Sequence, residues 1–90
     1  MSITTELVIQ NQKGLHARAA AAFVNAVADL DAEVWVEKDG QEVEGNSILG
    51  LMMLAASKGS IIKVRAEGKD AEQAVANLTG LVNSLFGETL

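Results

Sequence analysis

The chain contains no cysteine and no proline. Without cysteine there is no disulfide stapling, thiolate metal site or cysteine nucleophile, which fits a reducing compartment. Without proline no ring-fixed backbone breaks a helix or strand. One tryptophan and two phenylalanines are too few aromatic platforms for stacking nucleic-acid bases. Seven basic residues stand against twelve acidic ones, and the net charge of −5 opposes the counterion release that drives most nucleic-acid binding. Neither DNA nor RNA is an expected partner. No run approaches about 18 apolar residues, and the start lacks a charged segment leading into an apolar one, so neither membrane insertion nor secretion is expected. The default is a cytoplasmic protein. A single histidine among scattered carboxylates forms no metal-ligand cluster, and there is no glycine-rich nucleotide loop or Ser-His-Asp spacing. No metal and no cofactor is expected.

What is present is 49% hydrophobic residues in ninety, without repeat, linker or low-complexity run, which predicts one globular domain over residues 1–90. Residues 3 to 10 alternate, with Leu7 and Ile9 on one face and Val8 between them, as a half-buried strand would. Ala20, Phe23, Val24 and Val27 then form the stripe of an amphipathic helix ending near Asp29 to Asp31. Val34, Trp35 and Val36 lead into Asp39-Gly40, a strong hairpin signal, and predict strands near 33–38 and 41–44. Val34, Val36 and Val43 should face the core. Trp35 then lies on the other sheet face and is given no role. Ser47 opens a helix running through Ile48-Leu49-Gly50-Leu51-Met52-Met53-Leu54-Ala55-Ala56, which Lys58-Gly59 ends. Ile62, Val64 and Ala66 mark a fourth strand closed by Gly68. Asp70 and Gln73 resemble a capping box for a last helix with the stripe Ala71, Ala74, Val75, Leu78, Val82 and Leu85, reaching about Phe86. The order is βαββαβα, an α+β fold of two layers with a four-stranded, mostly antiparallel sheet and helices on one face. Strand order is not readable from local pattern.

The helix opened by Ser47 is apolar all round, yet so small a domain cannot surround it. If Leu51, Leu54 and Ala55 pack inward, Ile48, Leu49 and Met52 form an exposed patch suited to partner docking. Filling a gap under a loop is the plainer alternative.

His16 lies in Lys13-Gly14-Leu15-His16-Ala17-Arg18-Ala19, between a glycine turn and the alanine-rich helix. A helix start offers amide hydrogens without intrahelical partners and the positive end of the dipole, a natural seat for an anion. Neutral imidazole can hold that anion covalently. Arg18 adds a permanent charge and a planar fork of donors matched to phosphate oxygens, while the amides of Ala17 and Arg18 face the same place. Gly14 permits a sharp turn, and the alanines leave room for a large visitor. A lone histidine at a helix start is more often a solvated cap. Here the neighbourhood points to a phosphorylated histidine.

With Gly14-Leu15-His16-Ala17-Arg18 at the first helix, Asn46-Ser47-Ile48-Leu49-Gly50-Leu51-Met52-Met53-Leu54 at the second and the Lys58-Gly59 turn with its strand and helix, the chain resembles the HPr family. These are the histidine-containing phosphocarrier proteins of the bacterial phosphoenolpyruvate-dependent phosphotransferase system. The resemblance implies an open-faced β-sandwich with sheet order 1-4-2-3. It implies phosphorylation of His16 on Nδ1 by phosphorylated enzyme I, assistance from Arg18, and transfer to IIA-type proteins. It also implies docking through Ile48, Leu49 and Met52, and, as in several members, phosphorylation of Ser47 by an HPr kinase/phosphorylase. Most members have proline where this chain has Ala19, a change that touches helix rigidity more than chemistry. Features of the sugar-transport carriers and of the nitrogen-related NPr branch are both present, with a slight lean to the regulatory branch. A monomeric carrier, not an autonomous enzyme, is the expectation. Two rivals stand beside it: a small phosphatase using Arg18, and a regulatory binding module that docks through the apolar helix and is never phosphorylated.

Overall fold

Alternation and turn chemistry build the sheet of the computed structural model, which describes residues 1–88. Strands β1 (Ser2–Val8), β2 (Glu33–Lys38), β3 (Gln41–Glu44) and β4 (Ile61–Glu67) pair in the order β1-β4-β2-β3, every pair antiparallel. This is the expected 1-4-2-3 sheet. The β2–β3 turn needs left-handed backbone at both central residues, and Asp39 and Gly40 supply it with φ of 51° and 86°. Helices α1 (Ala17–Val27), α2 (Ile48–Met53) and α3 (Ala71–Asn83), followed by a short 3₁₀ turn at Leu85–Gly87, complete the chain order.

One sheet face carries Leu7, Val34, Val36, Ile62, Val64 and Ala66, all buried. Against it pack Ala20, Phe23 and Val27 of α1, Leu51 of α2, and Leu78 and Val82 of α3. Val43 is half-buried at the core margin, as is Val24. The other sheet face is wet. There Arg65 lies over the Trp35 ring at 4.1 Å from its centroid and also pairs with Glu42 and Glu67, so one face of the indole is covered by a cation. Among the described residues, no helix is long and apolar enough to cross a membrane.

Four local expectations are corrected. Helix α2 stops at Met53, and Ala55 and Ala56 lie outside it; Ala55 takes φ of 53° and is exposed, whereas Leu51, Leu54 and Ala56 are buried. The cause is tertiary: the Ala56 carbonyl accepts a 2.8 Å hydrogen bond from Leu15 N, a partner no helix could give it. Gly59 accordingly ends no helix but donates to Ile9 O at 2.7 Å, leading into β4. Helix α3 likewise stops at Asn83 rather than Phe86, because Leu85 and Phe86 are left-handed, with φ of 62° and 54°. Asp70 and Gln73 form no capping box. The Asp70 carboxylate accepts from Asp31 N at 2.8 Å, and Gln73 donates to Asn77, so the aspartate ties α3 to the end of the α1–β2 connection.

Candidate functional site

The His16 loop owes its shape to one missing side chain. At Gly14 φ is +67°, and a Cβ there would stand 2.5 Å from Ala56 O and 2.9 Å from Ser57 Cα. Only glycine permits both the left-handed turn and that approach. The resulting Leu15–Ala56 hydrogen bond holds the start of α1 against the segment leaving α2. Leu15 is buried, and His16 follows as the N-cap with extended backbone, φ −81° and ψ −176°.

A histidine at this position could fold its ring over the helix start, but His16 makes no side-chain cap. The first intrahelical bond runs from Ala20 N to His16 O at 2.8 Å, so the amide hydrogens of Ala17, Arg18 and Ala19 precede it. They keep the positive end of an eleven-residue helix unneutralised, with no acidic residue in its first turn. Arg18 is exposed and makes no ion pair among the described residues. His16, Ala17 and Arg18 thus follow one another at the start of α1, a short stretch that carries an imidazole, free amides and an exposed guanidinium. Ala19 is fully buried and sits inside α1 without a break, so helix entry survives the lack of proline.

The ring is held from the side. His16 Nε2 contacts the Glu88 carboxylate, whose other oxygen accepts from Asn11 Nδ2 at 2.9 Å. The same Asn11 amide donates to Gly14 O at 2.8 Å, and Asn11 is completely buried. These bonds pull the Glu88 carboxyl below its ordinary range. The Asn11 hydrogen bond contributes most, followed by the His16 hydrogen bond; burial opposes them, and the charges of His16 and Lys13 assist. An ionised carboxylate only accepts, so the contact puts a hydrogen on Nε2. The His16 side chain is 28% exposed and that of Glu88 13%. Neither Asn11 nor Glu88 follows from the sequence reading. Phe86-Gly87 after an amphipathic helix was the available signal for a turn, and Asn11 before Gly14 another.

Beside His16 a shallow depression is lined by Lys13, Leu15, Ala55, Ala56 and Ser57, which places the exit of α2 next to the ring. On α2, Leu49 is 68% exposed, Ile48 42% and Met52 40%, and Met53 joins them at 62%. These four apolar side chains are thus exposed, Met53 in addition to the three expected. Ser47 caps α2, its Oγ accepting from Gly50 N at 2.9 Å.

Sheet order and similarity to known proteins together define the class, the phosphocarrier proteins of the phosphotransferase system. The chain belongs to the HPr family: the model described as the PTS HPr component phosphorylation site matches residues 3–84. The phosphocarrier protein HPr of Neisseria meningitidis is 48% identical over 80 residues, covering 89% of this chain and 90% of that one. The phosphocarrier protein NPr of Escherichia coli K12 is 39% identical over 89 residues, covering 98% and 99%. The crystal structure of an HPr from Thermoanaerobacter tengcongensis superposes with a TM-score of 0.93 at 43% identity, covering 98% of this chain and 99% of that one. The protein is a phosphocarrier of the phosphotransferase system.

Proposed function

We propose that His16 is the carrier group, taking a phosphoryl group on Nδ1 from phosphorylated enzyme I and giving it up to a IIA-type protein in the cytoplasm. The single observation that supports this most is the ring's engagement: Nε2 contacts Glu88, which leaves Nδ1 as the nitrogen with a free lone pair on a residue that caps the start of α1. In the forward step the donor's bond to phosphorus breaks as the Nδ1–phosphorus bond forms. Charge on the transferring group is met by the Ala17 and Arg18 amides and the Arg18 guanidinium. The partner supplies the rest of the active site. One nucleophile, one cation and a helix start make half of a phosphoryl-transfer site, which suits a carrier better than a phosphatase.

Ile48, Leu49 and Met52 form the docking surface in this reading, next to the His16 loop. Ser47 begins the helix that carries them. A phosphate on it would add up to about two negative charges beside apolar residues, weakening docking without refolding the chain. Relatives from both the HPr and NPr branches are matched, so the branch follows from whichever acceptor takes the group faster.

Incubation with phosphoenolpyruvate and enzyme I, followed by intact mass and acid treatment, tests the assignment. One acid-labile phosphate is expected on the parent protein and none on His16→Ala. Equal uptake by the two proteins would remove His16 from the mechanism, and turnover of a small phosphoester without partners would favour a phosphatase.

A further inference from the structure

The C-terminal turn spends backbone strain to put a carboxylate beside the histidine. Leu85 and Phe86 are consecutive non-glycine residues in the left-handed region, a conformation that persists only where surrounding structure imposes it. Phe86 is buried in the core and anchors the turn, Gly87 continues it with φ of 77°, and Glu88 arrives at the ring. Asn11 supplies the other half of the arrangement, because its amide nitrogen is spent on Gly14 O and Glu88 while its Oδ1 has no partner among the described residues. Leaving a buried acceptor unsatisfied is costly, and the side chain is oriented by the two oxygens it donates to.

We infer that Glu88 is a positioning residue for phosphoryl transfer: clamped by Asn11, its carboxylate accepts the Nε2 hydrogen of His16 and holds the ring in the tautomer that presents a lone pair at Nδ1. This role rests on the reading of His16 as the carrier group. It assigns Glu88 a second effect after transfer. When Nδ1 bonds to phosphorus and Nε2 keeps its hydrogen, the ring carries positive charge, and the carboxylate lies against the nitrogen that shares it. No proton moves in the step. The donor's bond to phosphorus breaks, the Nδ1 lone pair forms the new bond, and the Nε2 hydrogen remains between the ring and Glu88. On handing the group to an acceptor, the ring leaves as neutral imidazole in the tautomer it started from. The carrier is thereby returned ready to accept again.

Three proteins test this: the parent, Glu88→Ala, which removes the acceptor, and Glu88→Gln, which keeps an acceptor oxygen but no charge. Ring-nitrogen chemical shifts of His16 report the tautomer, and transfer from phosphorylated enzyme I gives kcat and KM. The parent should hold its hydrogen on Nε2. Glu88→Ala should mix the tautomers and lower kcat about tenfold, by analogy with the loss seen when the partner that orients a metal-binding histidine is removed, with KM for enzyme I unchanged. Glu88→Gln offers one acceptor oxygen where both oxygens of Glu88 are engaged, so it serves Nε2 or Asn11 Nδ2 but not both. It should hold the tautomer less firmly than the parent and recover only part of kcat. A merely structural glutamate would shift stability but neither the ring-nitrogen pattern nor kcat. If the parent and Glu88→Ala are phosphorylated at equal rates with the same ring-nitrogen pattern, the role of Glu88 is overturned while His16 stands. If the parent forms no phosphohistidine, the carrier reading falls, and this role with it.

Discussion

A methyl group at position 14 would sit 2.5 Å from the Ala56 carbonyl oxygen, on a backbone already at φ +67°. Gly14→Ala therefore combines left-handed strain of roughly 1–2 kcal/mol with an overlap against backbone that cannot swing aside. Together these should cost about 2–4 kcal/mol of stability. Chemical denaturation checks it: the midpoint should fall with little change in slope, and an unchanged midpoint would show that the Leu15–Ala56 clamp is loose. Much at this scale was legible beforehand. The glycine turn, the ring at a helix start and Arg18 two residues on could all be read along the chain, because they are neighbours in it. Glu88 could not, being 72 positions from His16. Nothing local distinguishes a carboxylate that will meet a histidine from one that will meet water. Asn11 was missed for a related reason, since burial of a polar side chain is a property of its distant partners.

Elements were legible where local chemistry specifies both ends. Strands β2 and β3 fall on residues 33–38 and 41–44, where Asp39-Gly40 and alternating valines put them. The stripes of α1 and α3 placed those helices but neither of their ends: α1, expected to run to about Asp29 to Asp31, stops at Val27, and α3 stops early because left-handed Leu85 and Phe86 carry no glycine signal of their own. For α2 the apolar run indicated a helix and said nothing of its end, which depends on Leu15 donating to Ala56. That early end leaves a six-residue helix whose outer side is apolar, with Leu49 its most exposed position. Leu49→Glu should weaken transfer from enzyme I, by about tenfold or more in kcat/KM, because it sets a charge into an apolar contact. Circular dichroism and the denaturation midpoint should remain close to the parent's, since the side chain is 68% exposed. An unaltered kcat/KM would mean that donors dock elsewhere.

Over the whole molecule, the β1-β4-β2-β3 order lies beyond local reading, because it pairs strands separated by complete elements. The resemblance to the HPr family provided it, and the structure agrees. The Asn11–Glu88–His16 chain also works at this scale, fastening the turn after α3 to the connection between β1 and α1. Its pH behaviour follows from Glu88, whose carboxyl is held below the ordinary glutamate range chiefly by the Asn11 hydrogen bond. A carboxyl lowered in the folded state favours folding fully above its unfolded pKa and loses that contribution as pH falls through the folded value. Stability should accordingly drop on acidification below the ordinary glutamate range, and less steeply in Glu88→Gln. Denaturation midpoints over an acid pH series measure the difference, and parallel curves for the two proteins would deny Glu88 any part in it.

The depression that joins the His16 ring to the exit of α2 has a consequence for traffic through the pathway. On the proposed docking reading, cargo and berth would share one edge of a small body, and supplier and recipient would have to take turns. Either of them in excess would then crowd out the other, and throughput would peak at balanced amounts of the two.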